Sequence, residues 1–189
     1  MTLDAQSFKV EAVLKLLESP YIRNRFKIKD EETLRTAARQ AGIIFSMEGR
    51  TADDTRYVSW EYGLKKIMYG ICMSGDPEIY DGQDAFIPLD TAEGSEAIER
   101  VRLLYFVKML KHKLADRNQT RTISEWAEYL QSLVEDMIFQ AGDKDDEDYT
   151  KLVQFTEHMA ILEKDANVEI SFEVFRHSFL QRLDMEKKA

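Results

Sequence analysis

The stretch that most constrains this chain runs from Ser59 to Met73. Trp60, Leu64, Ile67, Met68 and Ile71 recur at spacings of three and four, so they share one face of a helix. Ser59 is placed to cap it, and Glu61 falls in the first turn, where the helix dipole favours negative charge. Gly63 and Gly70 lie inside the same helix, beside the apolar stripe. A glycine in a helix interior costs about 1 kcal/mol relative to alanine. Both glycines are therefore expected to admit a close neighbour, and the long helix over Ser95–Ala115 is the expected one.

The rest of the chain reads as helical. Three prolines and eight glycines in 189 residues leave little material for a strand-and-turn architecture. A first helix is expected over Ser7–Glu18, ended by Pro20, with Val10, Val13, Leu14 and Leu17 inward. A short turn follows over Tyr21–Phe26, then a helix capped by Asp30 and closed by Gly42. Ile43-Ile44-Phe45 reads as an apolar plug, and Gly49–Thr55 as a polar loop.

Ser74–Gly94 is the one long irregular loop, with a short extended piece at Phe86-Ile87. In the long helix, Ile98, Val101, Leu104, Tyr105 and Met109 form one side, widened by Leu103, Phe106, Val107 and Leu110. That breadth predicts burial between several neighbours. Thr122 and Glu125 fit a capping box for a helix carrying Trp126, Leu130, Leu133, Met137 and Ile138. An acidic linker over Gly142–Asp148 leads to a helix over Tyr149–Lys164, with Leu152, Phe155, Met159 and Leu162 inward. Ser171 is placed to cap a last helix with Phe172, Phe175, Phe179, Leu180 and Leu183. The fold class is all-α: an irregular bundle of about seven to eight helices, in one domain over residues 1–189.

Chemistry is sparse. Net charge is -9, a poor balance for a free-standing nucleic-acid binder, although a local basic face is compatible with it. Two basic clusters stand out, Arg23/Arg25/Lys27/Lys29 and Lys108/Lys111/Lys113/Arg117/Arg121. Arg23, Arg25, Lys108, Lys111 and Arg117 are the candidate phosphate contacts. Trp60 and Trp126 have the chemistry to stack on bases but sit where packing is the expected use. The single cysteine, Cys72, is expected to be a small buried apolar residue.

No Gly-rich phosphate loop of the G-x-x-x-x-G-K-S/T type occurs. His112, His158 and His177 are not paired at helical spacing. The acidic linker lacks the glycine and glutamate of a helix-loop-helix calcium site. Asp76, Glu78, Asp81 and Asp84 lack the lysine that a nuclease centre would add. No catalytic, metal or cofactor-binding residue is assigned, and no cofactor is expected. No apolar run reaches the roughly 20 residues of a membrane span, and the N-terminus is not a signal peptide, so the compartment reads as cytoplasmic.

A series of phrases carries a resemblance. Leu16-Leu17, Pro20 and Arg25-Phe26 open it, followed by Gly42-Ile43-Ile44-Phe45-Ser46. Ser59-Trp60-Glu61-Tyr62-Gly63-Leu64 and Gly70-Ile71-Cys72-Met73 continue it, then Ile87-Pro88-Leu89-Asp90 and Gly94. Glu125-Trp126 and Gln181–Asp184 close it. In order and spacing the series resembles the RecC family, the gamma subunit of exodeoxyribonuclease V. Ile44 and Glu61 stand where that family carries arginines, which removes any polar contact those arginines make in relatives.

The resemblance implies a helical 2B-like accessory domain from an inactivated superfamily 1 helicase region. Met1 and Ala189 are then expected to be cut points in a longer chain. It also implies RecB-like and RecD-like partners, and a role in double-strand break repair and recombination. The parent complex would be an ATP-dependent exodeoxyribonuclease and helicase that engages DNA, while this domain would be non-catalytic, with weak or no DNA binding alone. The corresponding domain of an AddB-type subunit, or a stand-alone protein-protein adaptor, are the alternatives.

Overall fold

The structure is a computed structural model, and it describes residues 7–73, 78–82, 84–90, 92–140, 146–162 and 168–186. The expectations at Gly75–Pro77 and for linker residues 142–145 fall outside these residues, and the Leu162 side chain is likewise not described. The described chain is predominantly helical, with two short antiparallel strand pairs. It divides into two compact units, Met1–Lys111 and His112–Ala189, and the division falls inside the longest helix.

In the first unit, α1 (Val10–Lys15) runs into a 3-10 turn at Leu16–Glu18. It starts later than the sequence suggests because Phe8 takes a left-handed backbone, φ 39°. That turn sends the Phe8 ring inward, edge-on to Trp60. Pro20 does push Ser19 into extended backbone, but it also opens α2 (Pro20–Phe26) as its first residue, where a missing N–H costs nothing. In α3 (Glu31–Gln40), the Asp30 carboxylate accepts from the Thr33 amide at 3.0 Å. Gly42, at φ 77°, lets the Ile43 amide reach back to the Ala38 carbonyl and close the helix.

The apolar plug is a single residue. Ile43 is buried, whereas Ile44 is 55% exposed and serves through its backbone. Its amide donates to the Val58 carbonyl, and its carbonyl accepts from Val10. The polar loop that follows winds into 3-10 turns at Thr51–Asp53 and Thr55–Val58.

α4 (Trp60–Cys72) is the centre of this unit. Ser59 caps it, accepting from the Tyr62 amide at 3.3 Å, and Trp60, Leu64 and Ile67 are buried. Both glycines face close neighbours, but not the long helix. A methyl group at Gly63 would lie 2.2 Å from the Ile43 side chain, and one at Gly70 2.3 Å from the Leu89 carbonyl oxygen. A side chain and a loop backbone therefore take the room assigned above to a helix. Cys72 is exposed, against expectation, because it lies in the last turn, past the buried arc of α4. The irregular region contains a hairpin of β1 (Ile79–Asp81) and β2 (Asp84–Phe86), with Ile79 opposite Phe86. Only its second strand was legible in the sequence.

α5 (Gly94–Ala115) buries the residues expected to widen its stripe and exposes part of the side expected to lead it. Leu103, Phe106, Val107 and Leu110 are buried. Ile98, Val101 and Tyr105 are 52%, 45% and 49% exposed.

The second unit is an aromatic core. α6 (Ile123–Met137) opens with the full capping box: the Glu125 amide donates to the Thr122 hydroxyl, and the Thr122 amide donates to the Glu125 carboxylate at 2.8 Å. α7 (Glu147–Leu162) starts two residues before the expected Tyr149 because Asp146 accepts from the Tyr149 amide. α8 (Phe172–Glu186) completes the core. Trp126, Tyr129, Phe155, Phe172, Phe175 and Phe179 pack together. Leu180, expected inward, is 42% exposed, because Phe175 and Phe179 already define the inner face. A short pair, β3 (Arg121–Thr122) with β4 (Glu169–Ile170), ties the start of α6 to the start of α8.

Candidate nucleic-acid interface

The fold distributes the basic residues singled out in the sequence over both units. Arg23 and Arg25 lie on α2, whose last residue, Phe26, packs its ring 5.5 Å from Tyr105 and 5.1 Å from Phe106 of α5. Lys27, at φ 56°, turns the chain. The amides of Lys29 and Asp30 then both donate to one oxygen of Glu99, at 3.0 and 3.3 Å. Glu99 is only 5% exposed and also pairs with Arg102. A buried carboxylate is tolerated only when its lone pairs are filled. Here two backbone amides and a guanidinium fill them, and the result pins the α2–α3 turn onto the flank of α5. Nothing in the sequence marks Glu99 for this task, since its partners are backbone groups some seventy residues away.

The five candidate contacts are divided between the two units, four in the first and Arg117 in the second. Arg23 is 3.1 Å from Glu31, and Lys111 is 2.6 Å from Glu48. Arg25 is half-buried on α2. Lys108 is exposed on α5. Arg117 belongs to the second unit, where its guanidinium lies 5.1 Å over the Phe172 ring. Arg121, in the same unit, lies 5.1 Å over Trp126 and 5.5 Å over Tyr129. Such stacking holds the cations against the unit's own rings. The tryptophans are not base platforms: both are fully buried, and their indole N–H groups donate to the Phe8 and Ile170 carbonyls at 2.9 and 2.8 Å.

A cavity of about 220 Å³ lies beside the start of α4, lined by Glu48, Arg56, Glu61, Tyr62 and Lys65 among others. Three of its charged residues pair with groups outside its lining. Glu48 meets Lys111, Arg56 meets Asp84, and Lys65 lies 2.7 Å from Asp81. The Lys65 ammonium and then the Tyr69 hydroxyl, both donating to Asp81, hold that carboxylate below its ordinary range. The Asp81 hydrogen bond in turn raises Lys65, with desolvation opposing. Burial raises Tyr62. This arrangement clamps the β1–β2 hairpin onto α4, helped by the Tyr62 hydroxyl donating to the Ala85 carbonyl at 2.9 Å. Lys65 and Tyr69 were not singled out in the sequence, and their i, i+4 spacing is the one signal that could have found them. Their partner lies in a stretch without periodicity. Among the described residues no cluster of His, Cys, Asp and Glu is arranged to hold a metal ion.

The comparisons with known proteins point one way. The family described as RecBCD enzyme subunit RecC fourth domain matches residues 1–187. The chain belongs to that family. RecBCD enzyme subunit RecC of Haemophilus influenzae is 26% identical over 189 residues, covering 97% of this chain but 16% of the relative. RecBCD enzyme subunit RecC of Mycobacterium tuberculosis H37Rv is 27% identical over 126 residues, 62% of this chain and 11% of the relative. The RecC fourth-domain chain thus spans less than a fifth of the curated relatives it matches. The resemblance read from the Trp60–Gly63–Leu64 and Gly70–Met73 phrases led to the same family. No helix among the described residues is long and apolar enough to cross a membrane.

Proposed function

We propose that this RecC fourth-domain chain is a non-catalytic helical scaffold within the RecC-type subunit of a RecBCD-type helicase-nuclease. The assembly would include RecB-like and RecD-like subunits and act in double-strand break repair and recombination. The match across residues 1–187 carries this reading. The internal use of charge supports it. Glu48, Arg56 and Lys65 around the α4 cavity are spent on holding the hairpin and the loops, which is what a scaffold requires. The DNA contacts fall to the parent complex. Arg23, Lys111 and Arg117 are already engaged by Glu31, Glu48 and the Phe172 ring, which weakens a phosphate-binding role for the domain alone.

The test has two arms. The full-length subunit carrying this domain is expected to co-purify with its RecB-like and RecD-like partners as an ATP-dependent nuclease. The 189-residue chain alone is expected to show no ATPase turnover, and no sub-micromolar duplex or forked DNA binding by fluorescence anisotropy at physiological salt. Turnover that survives repurification, or tight DNA binding by the chain alone, overturns the scaffold reading.

A further inference from the structure

The exposed face of α5 is the surface this fold leaves without a use. Ile98, Val101 and Tyr105 follow each other at i, i+3 and i+7, about half exposed, along roughly two turns of helix. Scattered apolar residues on a surface need no explanation, but a contiguous stripe at helical spacing matches the way one helix receives another. One wall of the stripe is the α2–α3 turn, fixed there by Glu99 and by the Phe26 ring against Tyr105.

The charges on this rim are unbalanced. Most of the acidic groups are engaged, with exposed Glu32 the exception: Asp30 caps α3, Glu31 pairs with Arg23, and Glu99 takes two amides and Arg102. The exposed cations are not. Lys27 and Lys29 on the turn and Lys108 beyond Tyr105 make no ion pair with any described residue. In a chain of net charge -9, this makes a locally positive border around an apolar strip.

We propose that this face docks an amphipathic helix with acidic flanks, contributed by another part of the helicase-nuclease assembly. The proposal rests on the scaffold reading above and names its docking face. The partner's aliphatic residues would cover Ile98 and Val101 and surround Tyr105, and its Asp or Glu residues would meet Lys27, Lys29 and Lys108. Charge complementarity selects this occupant. Nucleic acid would use the cations and the Tyr105 ring, but the branched aliphatic Ile98 and Val101 offer nothing to phosphate or to a stacked base. A second copy of α5 would bring its own Lys108 to the same border.

The experiment uses the full-length subunit assembled with its partners, with Tyr105 replaced by the photo-crosslinker p-benzoylphenylalanine. The expected product joins residue 105 to a helical segment with aliphatic residues three and four apart and Asp or Glu on its flanks. Replacing Lys27, Lys29 and Lys108 together by glutamate is expected to cut the yield roughly tenfold, the scale of a lost interface anchor. Crosslinking to DNA, to a second copy, to a segment without acidic flanks, or to nothing in an assembled complex overturns the docking proposal and leaves the scaffold reading standing. Failure of the unmodified subunit to assemble overturns both. Val101→Asp gives an independent check: it is exposed and leaves the core intact, so circular dichroism is unchanged while the crosslink is lost.

Discussion

The two units of this chain solve the same packing problem differently. In the first, helices and loops approach at backbone level: α4 presents Gly70 to the Leu89 carbonyl, and Ile44 joins Val10 and Val58 through main-chain hydrogen bonds. In the second, large rings fill the space. Trp126 stacks with Phe175 at 6.0 Å, Phe175 with Phe179 at 6.2 Å, and two arginines cover the edge. Rings also pack in the first unit, around Trp60 and Phe26, so removed atoms should cost both units, while added atoms should cost most where α4 meets the Leu89 backbone.

Removing the indole is the strongest challenge to the second unit. Trp126→Ala opens a cavity under Phe172 and Phe175 and orphans the Ile170 carbonyl, so a loss of about 3–5 kcal/mol is expected in denaturant unfolding. A loss below about 1 kcal/mol would show that the rings collapse freely. Adding one methyl group tests the first unit. Gly70→Ala gains helix propensity but collides with backbone, so a net loss of about 2 kcal/mol is expected. Gly63→Ala meets side chains rather than backbone, Ile43 closely and Ala41 at 3.5 Å, and should cost less. Equal costs for the two would break the distinction between a movable and an immovable neighbour.

A third test uses pH. Tyr129 is buried, with its hydroxyl donating to the Lys113 carbonyl at 2.7 Å, and burial pushes its pKa up to about 12. Its folded value lies above the unfolded value of about 10, so the folded state holds the proton more tightly. The contribution is complete below pH 10 and is lost as pH rises toward 12. A tyrosinate absorbance titration should show one late phenol that disappears in Tyr129→Phe. The wild type should lose about 2 kcal/mol more than the variant between these pH values. The smallest effect is at the capping box, where Thr122→Ala should cost about 1 kcal/mol. A cost near zero would mean that the β3–β4 pair, not the cap, holds the start of α6.

The sequence was most readable where one residue performs one local task. Asp30, Gly42, Ser59 and the Thr122–Glu125 pair were each legible, because capping involves neighbours three to five residues away. It was least readable on α5, where apolar residues surround the helix and periodicity cannot say which arc is buried. Leu103 and Phe106 against Ile98 and Val101 is a choice made by Phe26 and Glu99, which lie far off in sequence or carry no apolar signal. The glycines of α4 announced a close contact but could not name it. The two- and three-residue strands were too short to leave a pattern, apart from the single phrase around Phe86. The partners of the basic candidates, Glu31, Glu48 and the Phe172 ring, were not legible because the fold, not the local sequence, supplies them.

The two tryptophans hold one further consequence. The sequence has only two, Trp60 and Trp126, and each is fully buried in a different unit with its indole N–H on a carbonyl 52 or 44 residues away. Each unit thus contains its own intrinsic fluorophore in a dry, hydrogen-bonded setting. Unfolding of one unit would red-shift one emission band and leave the other in place. With Trp60→Phe or Trp126→Phe as single-emitter forms, the optical signal can be divided between the units without an added dye.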